Sequence, residues 1–169
     1  MGRIYLIGLP GVGKTTLGQK IADFMNLPFV DIDCMLHEEA GMSVADIFST
    51  YGEPHFRDLE SQMLAAIAAK PFDAVIATGG GIILREENRS CLRQSGTVVY
   101  LDRSPESIIK DIHVEERPLL AKNPMRLFEL SKERSALYSE CCHISVSLPL
   151  GVEESLEHLQ EVFSHLEAQ

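Results

Sequence analysis

Short apolar runs alternate with longer segments of helical periodicity along the chain. The apolar runs predict buried strands at Ile4–Ile7, Pro28–Asp31, Ala74–Ala77, Thr97–Leu101 and His143–Val146. Strands that alternate with helices predict a parallel sheet covered by helices on both faces. In such folds ligands bind beyond the carboxyl ends of the strands, so we expect the chemistry at that edge.

The segments between the strands predict amphipathic helices. They span 16–25, a stretch up to residue 70 with breaks at 41–43 and 51–54, and then 86–94, 105–113, 125–142 and 152–166. In the first helix, Leu17, Ile21, Phe24 and Met25 fall on one face. Ser43 is placed to cap the helix that follows it. Residues 114–124, which contain two prolines, predict a mobile loop.

The composition narrows the class of protein. At 169 residues, with 45% hydrophobic and 24% charged residues, the chain is expected to form a single domain over 1–169. A net charge of −10 argues against a general nucleic-acid-binding protein, which would need a basic face. No stretch approaches the ~18–20 apolar residues of a membrane span. We expect a cytoplasmic monomer whose four cysteines are reduced and bind no metal.

The segment Gly8–Thr15 carries the strongest chemical signal. It fits the phosphate-loop pattern G-x-x-x-x-G-K-[ST] and lies between a predicted strand and a predicted helix. Its backbone N–H groups would surround a phosphate, Lys14 would supply positive charge, and the Thr15 hydroxyl can bind Mg²⁺. The expected nucleotide-binding residues are Gly11, Val12, Gly13, Lys14, Thr15 and Thr16. The alternative interpretation is a glycine-rich turn without a ligand.

Two aspartates follow the second predicted strand. If the backbone stays extended through 31–33, the side chains of Asp31 and Asp33 point the same way. Beside a Mg²⁺-nucleotide, one carboxylate can hold the metal through water and the other can accept a proton from an attacking hydroxyl. The alternative is an Asx turn or a helix N-cap at Asp33. Behind a phosphate loop, we favour the functional interpretation.

Other candidate residues are ambiguous in isolation. Gly79–Gly81 suits either a tight strand-to-helix turn or a close approach of backbone to ligand. Arg57 has glutamates four residues before and three residues after it, which alone predicts a salt-bridge ladder on a helix surface. Arg117 and Arg134 carry no signal by themselves, and the six histidines form no metal-binding pattern.

Taken in order, these segments resemble the shikimate kinase family. The shared motifs are the phosphate loop, Asp31-Ile32-Asp33, Gly41–Phe48, Gly52–Glu60, Gly79–Gly81, Arg117-Pro118-Leu119-Leu120, and Arg134 ahead of Leu137-Tyr138. The match is collinear over about residues 3 to 140. The resemblance implies a three-layer P-loop kinase fold with a five-stranded parallel sheet flanked by helices. It also implies a helical substrate-binding region at about 31–60 and a mobile lid at about 113–124.

The resemblance also implies a reaction. In the family, the γ-phosphate of ATP is transferred with Mg²⁺ to the 3-hydroxyl of shikimate, as part of aromatic amino acid biosynthesis. Carried over to this chain, Lys14 stabilises the phosphates, Asp33 contacts the shikimate hydroxyls and acts as the base, and Asp31 with Thr15 helps to place Mg²⁺. Arg117, carried by the lid, would close onto the phosphates.

The resemblance assigns the remaining acceptor contacts to glycines and arginines. Arg57 and Arg134 would grip the shikimate carboxylate, which suits planar guanidinium groups better than lysine. Gly79, Gly80 and Gly81 would lie against the substrate ring.

Two departures from the family pattern limit what it transfers. Ala136 replaces a proline between the late arginine and Leu-Tyr, and residues 146–151 lack the polar character usual on the adenine side. Adenine contacts are therefore not carried over, although Lys110 stands where an arginine often takes a nucleotide-side role. Two alternatives stay open: another small-molecule kinase, such as a gluconate kinase or a nucleoside monophosphate kinase, and a non-catalytic nucleotide-binding switch.

Overall fold

The fold is built on one five-stranded parallel sheet. A computed structural model describes residues 2–111, 123, 125–148 and 151–167. Its strands are β1 (Arg3–Ile7), β2 (Phe29–Asp31), β3 (Ala74–Ala77), β4 (Gly96–Asp102) and β5 (Ile144–Ser147). The helices of this described part are α1 (Lys14–Phe24), α2 (Ile32–Ala40), α3 (Val44–Tyr51), α4 (Glu53–Ala68), α5 (Glu86–Ser95), α6 (Pro105–Asp111), α7 (Met125–Cys141) and α8 (Val152–Glu167). Every predicted strand is confirmed to within two residues at each end.

The order of the strands is β2-β3-β1-β4-β5, and every pairing is parallel. β1 lies in the centre, with Tyr5 opposite Ile76 of β3 and Val98 of β4. Because central strands of a covered sheet are buried on both faces, they read as continuous apolar runs, as β1 and β3 do. All carboxyl ends therefore meet at one edge, as the alternation of elements predicted.

The buried face of α1 differs from the prediction. Leu17, Ile21 and Met25 are buried as expected, but Phe24 is 45% exposed. The face that meets the sheet is centred on the small residue Gly18, where a methyl group would lie 2.8 Å from the Phe29 ring. Phe24 lies outside this contact face. The hydrophobic pattern predicted the helix correctly, but the predicted buried face wrongly included Phe24.

Three helices in succession link β2 to β3, and their ends are set by capping. The Asp31 side chain accepts hydrogen bonds from the first turn of α2, which ends at Gly41 with φ of 66°. Ser43 Oγ accepts a hydrogen bond from the Asp46 N–H at 3.1 Å, so the predicted cap of α3 is confirmed. Because α2 begins at Ile32, the backbone is extended at Asp31 but does not stay extended through Asp33, contrary to the expectation above.

The second half of the chain brings α7 against the sheet edge. Arg93 of α5 donates to the last carbonyls of α7 and its flank, those of Glu140, Cys141 and Cys142, which ends the helix there. The predicted loop or lid at 113–124, including Arg117, lies outside the described residues apart from Asn123. Within the described part, no helix is long and apolar enough to cross a membrane.

Candidate active site

The phosphate loop joins β1 to α1 at the carboxyl edge of the sheet. Gly13 precedes α1 with φ of 106°, a left-handed conformation that side chains disfavour. Within the described residues no side chain caps the start of α1, so its first N–H groups face the loop opening. Such an N-terminus attracts anions through its free N–H groups and its dipole. The expected residues Gly11, Val12 and Thr16 also lie in this loop and the first turn of α1.

Lys14 is folded over its own loop. Its ammonium group is buried and donates to the carbonyl oxygens of Gly8 at 2.8 Å and Leu9 at 2.9 Å. These bonds keep a positive charge beside the N-terminus of α1. The loop therefore combines two sources of positive potential, which fits the binding of a polyphosphate.

Thr15 and Asp31 place two oxygen donors next to the loop. Thr15 Oγ1 donates to Asp31 Oδ2 at 2.7 Å. The other carboxylate oxygen, Asp31 Oδ1, accepts from the N–H groups of Asp33 at 3.0 Å and Cys34 at 3.2 Å. The cap therefore holds the carboxylate in place while Oδ2 faces the hydroxyl. Hydroxyl and carboxylate oxygens beside a phosphate site are the kind of ligands that Mg²⁺ takes, so the residues fit this ion.

Asp33 reaches the site from a helix, not from a strand. It lies in the first turn of α2, where it is half-buried, and Asp31 is the N-cap. The extended pair and a cap at Asp33 are therefore wrong, whereas the Asx turn does form, because the Asp31 side chain accepts from the Asp33 N–H. A methyl group on Gly79 would lie 3.1 Å from Asp33 Oδ1. The carboxylate thus faces the glycine turn that follows β3.

The glycine turn, Gly79–Gly81, touches a different wall of the site at each residue. A methyl group on Gly79 would lie 2.6 Å from Glu60 Oε1, and one on Gly80 would lie 2.8 Å from Pro10 of the phosphate loop. One on Gly81 would overlap the guanidinium group of Arg57. Each of the three positions lacks room for a side chain, which is why the backbone can form a surface there.

Arg57 forms the predicted ladder, but in a partly buried place. Its guanidinium group pairs with Glu53 Oε1 at 3.1 Å and with Glu60 Oε2 at 2.7 Å. It also lies 5.8 Å from the centre of the Phe48 ring and 5.1 Å from that of Phe56. The Arg57 side chain is only 12% exposed, so this is not a solvated surface ladder. The pairs instead hold the guanidinium group against Gly81.

Glu60 is a buried carboxylate that the sequence-based interpretation did not single out. Its side chain is fully buried, and Oε1 has no hydrogen-bond partner among the described residues. Burial raises the pKa of Glu60, while the charge and hydrogen bond of Arg57 oppose that rise. The available signal was its position at the end of the motif Gly52–Glu60, three residues after Arg57.

Arg134 enters the site from α7 and is also buried, at 8% exposure. Its Nε has no hydrogen-bond partner within the described residues. Its charge acts to lower the pKa of both Glu60 and Tyr138, so the three groups lie in one neighbourhood. The structure therefore brings Arg134 into the neighbourhood of the buried carboxylate that Arg57 contacts, although the two arginines are far apart in sequence.

A separate cavity of about 550 Å³ lies beyond the ends of β4 and β5. Its lining residues are Asp102, Arg103, Ser104, Glu106, Ser107, Lys110, Ser147 and Leu148. Arg103 is buried, pairs with Asp111 and donates from Nε to Ser107 Oγ at 2.9 Å. The start of the phosphate loop adjoins this region, because a methyl group on Gly8 would lie 2.7 Å from the Leu101 carbonyl oxygen. The cavity and the loop thus form neighbouring parts of one edge.

Several known proteins that are similar to this chain are described as shikimate kinases. The sequence model of the family described as shikimate kinase matches residues 10–165. A shikimate kinase of Paracidovorax citrulli is 45% identical over 152 residues, covering 88% of this chain and 83% of the relative. One from Clostridium botulinum is 38% identical over 160 residues, covering 95% of this chain and 96% of the relative. The solved structure of shikimate kinase from Acinetobacter baumannii in complex with shikimate matches with a TM-score of 0.89 at 33% identity, covering 99% of this chain and 94% of that one.

Proposed function

Because the chain belongs to the shikimate kinase family, we propose that the site at the carboxyl edge of its sheet performs the family reaction. The protein is an ATP-dependent kinase with Mg²⁺ as cofactor. It transfers the γ-phosphate of ATP to the 3-hydroxyl of shikimate, giving shikimate 3-phosphate and ADP in aromatic amino acid biosynthesis. The alternatives of a gluconate kinase-like enzyme, a nucleoside monophosphate kinase and a non-catalytic switch are therefore set aside.

The donor side, Gly8–Thr15 with Asp31, is proposed to hold the phosphates and the metal. The N–H groups at the start of α1 bind phosphate oxygens. Lys14 donates to phosphate oxygens in place of the loop carbonyl oxygens that it contacts here. Thr15 and Asp31 are the residues that would hold Mg²⁺, directly or through water. When bound, the ion would neutralise the negative charge that redistributes among the phosphates in the transition state.

The acceptor side comprises Asp33, Arg57, Glu60, Gly79–Gly81 and Arg134. Asp33 is proposed to accept the proton of the 3-hydroxyl while the oxygen bonds to the γ-phosphorus and the bond from phosphorus to ADP breaks. Its position in the first turn of α2, between the metal-binding Asp31 and the glycine turn, supports this role. Charge stabilisation and positioning supply the rest of the catalysis.

The single observation that carries the acceptor assignment is the pair of arginines beside the buried Glu60. Arg57 and Arg134 are both shielded from solvent and both act on that carboxylate. Arg134 adds a second guanidinium group beside the one that Glu53 and Glu60 hold in place, and guanidinium groups that are shielded from solvent bind a carboxylate strongly. The acid group of shikimate is such a carboxylate, with its ring lying along Gly79–Gly81.

The rest of the nucleotide is proposed to extend into the cavity beyond β4 and β5. This cavity adjoins the start of the phosphate loop, and its volume suits the nucleoside end of ATP. Lys110 lines it, which supports a nucleotide-side role for this residue. We also propose that 31–60 is the substrate-binding region and 113–124 a lid that carries Arg117 onto the phosphates, all within one domain over 1–169.

The enzyme is further proposed to act as a cytoplasmic monomer without nucleic-acid or membrane partners. Its four cysteines are free thiols, which is usual in a reducing compartment, and its net charge of −10 disfavours nucleic acid. Sedimentation equilibrium across a range of concentrations tests the monomer, since a mass that rises with concentration contradicts it.

The assignment of the two arginines is tested by keeping their charge and removing their geometry. Arg57→Lys and Arg134→Lys should each raise the KM for shikimate about tenfold to a hundredfold, because lysine replaces a two-pronged partner with one compact donor. The KM for ATP should change less than about twofold. Steady-state kinetics with each substrate varied in turn measures both values.

Two controls make the result specific to the carboxylate. Arg126→Lys, on the exposed face of α7, should leave both KM values unchanged. A shikimate analogue with an amide in place of the carboxylate should bind wild type poorly, and the two lysine variants should lose little more. Equal discrimination between acid and amide by wild type and variants would show that these arginines do not bind the acid.

A further inference from the structure

The hydroxyl of Tyr138 contacts the middle of the glycine turn. Tyr138 is fully buried in α7, and its hydroxyl donates to the carbonyl oxygen of Gly80 at 2.5 Å. Its ring stacks on Tyr100 of β4 with centres 5.1 Å apart and an angle of 22°. Burial raises the pKa of Tyr138 to about 12, so the hydroxyl keeps its proton and stays a donor.

The Gly80 carbonyl is the one in this turn that local structure does not hold. The Gly79 carbonyl accepts from the Ile82 N–H at 3.1 Å, and that of Gly81 accepts from the Leu84 N–H at 3.1 Å. Between them, the Gly80 carbonyl turns outward to Tyr138. Because glycine has no side chain to restrict its peptide planes, a bond from another element is what fixes the orientation of this one.

The orientation of that peptide plane matters on both sides of it. Gly79 lies against Asp33 and Glu60, and Gly81 lies against the guanidinium group of Arg57. A rotation at Gly80 would move both neighbours and so alter the surface between these charged groups. Tyr138 is also one helical turn after Arg134, so its bond sets the distance from this arginine to the turn.

We propose that Tyr138 is a positioning residue for the acceptor substrate, holding the glycine turn and Arg134 in register through its bond to Gly80. The proposal rests on the acceptor assignment above. The ring alone fills the space and stacks on Tyr100, and phenylalanine would do both equally well. The hydroxyl donates to the carbonyl of Gly80 and also interacts with the Arg134 side chain, so it contacts both parts that the proposal joins. Its removal therefore isolates positioning from packing.

The variant Tyr138→Phe tests this role. Loss of one buried hydrogen bond should raise the KM for shikimate about threefold to tenfold, and the KM for ATP should change less than about twofold. A purely structural role would instead reduce the amount of folded enzyme, which lowers kcat and leaves both KM values as they are. Since KM reports only on folded molecules, it stays readable even if part of the sample unfolds.

Tyr5→Phe is the matched control. Tyr5 is also fully buried, and its hydroxyl bonds to Ser95 Oγ at 2.9 Å, away from the glycine turn. It should lower the melting temperature to a similar extent without changing the KM for shikimate. Equal shikimate KM values for wild type and Tyr138→Phe, or equal shifts in both tyrosine variants, would overturn the proposal. Arg134→Lys in the same assay separates the causes, because an unchanged KM there would contradict the acceptor assignment itself.

Discussion

The residues of the donor side are close together in the sequence, whereas those of the acceptor side come from distant parts of the chain. Most of the donor side lies within Gly8–Thr15, where consecutive residues form a loop and the start of one helix. The acceptor side takes Asp33 from α2, Arg57 and Glu60 from α4, the glycine turn from the end of β3, and Arg134 from α7. One side depends on local backbone geometry and the other on the packing of four elements.

The two sides also differ in how their charges are held. Lys14 donates to neutral carbonyl oxygens of its own loop. The Arg57 guanidinium group is paired with carboxylates, one of which is fully buried. A neutral partner can be exchanged for phosphate at little electrostatic cost, whereas a buried ion pair must be balanced by every charge around it. The effects of substitutions on the donor side should therefore be independent of one another. On the acceptor side, a substitution of one charged residue should change the effects of the others.

The largest expected effect is on the donor side. Lys14→Ala should lower kcat by several orders of magnitude. The positive charge of the lysine stabilises the transition state, in which negative charge redistributes among the phosphates. The fold should persist with a slightly lower melting temperature, because two hydrogen bonds within the loop are lost. Turnover with saturating ATP and shikimate, together with thermal denaturation, measures both effects.

Lys20→Ala on the exposed face of α1 is the control for the removal of a lysine from the same helix. It should keep wild-type kcat. Near-normal turnover of the Lys14 variant would remove the phosphate loop from the mechanism and would end the distinction between the two sides.

A smaller loss is expected where the two sides meet. Asp33→Asn should reduce kcat by about a hundredfold to ten-thousandfold, as is typical when a general base is removed. ATP binding, measured by calorimetry without shikimate, should be retained because Asp31 and the loop are intact. Asp23→Asn on the exposed part of α1 should change neither quantity. Lost ATP affinity with surviving turnover would move Asp33 to the donor side.

The contrast between the sides also explains how much could be predicted from the sequence. The strands, their parallel pairing and the strand–loop–helix arrangement at Gly8–Thr15 follow from local patterns, and they are confirmed. The prediction that the backbone stays extended through Asp33 was wrong. The Asp31 carboxylate caps α2, so the helix begins directly after the strand. Local pattern indicated both aspartates but not which would be the cap.

The acceptor side shows where local pattern ends. The ladder around Arg57 was predicted from spacing, but its burial was not, because burial depends on the glycine turn, which packs against α4 from a distant part of the chain. Glu60 was missed for the same reason: a glutamate three residues after an arginine is ordinary on a helix surface. The bond of Tyr138 to Gly80 joins elements whose distance no spacing rule encodes.

The smallest expected effect concerns the buried carboxylate that couples the acceptor side. Burial raises the pKa of Glu60 above its ordinary value of 4.5. At pH values between 4.5 and the raised pKa of the folded state, the folded protein binds more protons at Glu60 than the unfolded chain does. The contribution of Glu60 to the free energy of unfolding is therefore present below pH 4.5 and is lost as the pH rises through the folded-state pKa.

Glu60→Gln removes this titration and keeps the shape of the side chain. The difference in melting temperature, wild type minus Glu60→Gln, should therefore decrease as the pH is raised from about 4.5, by an amount on the order of a few degrees. Other groups titrate in both proteins and cancel in the difference. Glu39→Gln on exposed α2 should show no such trend. A difference that instead grows with pH would mean that Arg57 outweighs burial and lowers the pKa, which would make the acceptor side a set of favourable pairs and not a strained, coupled group.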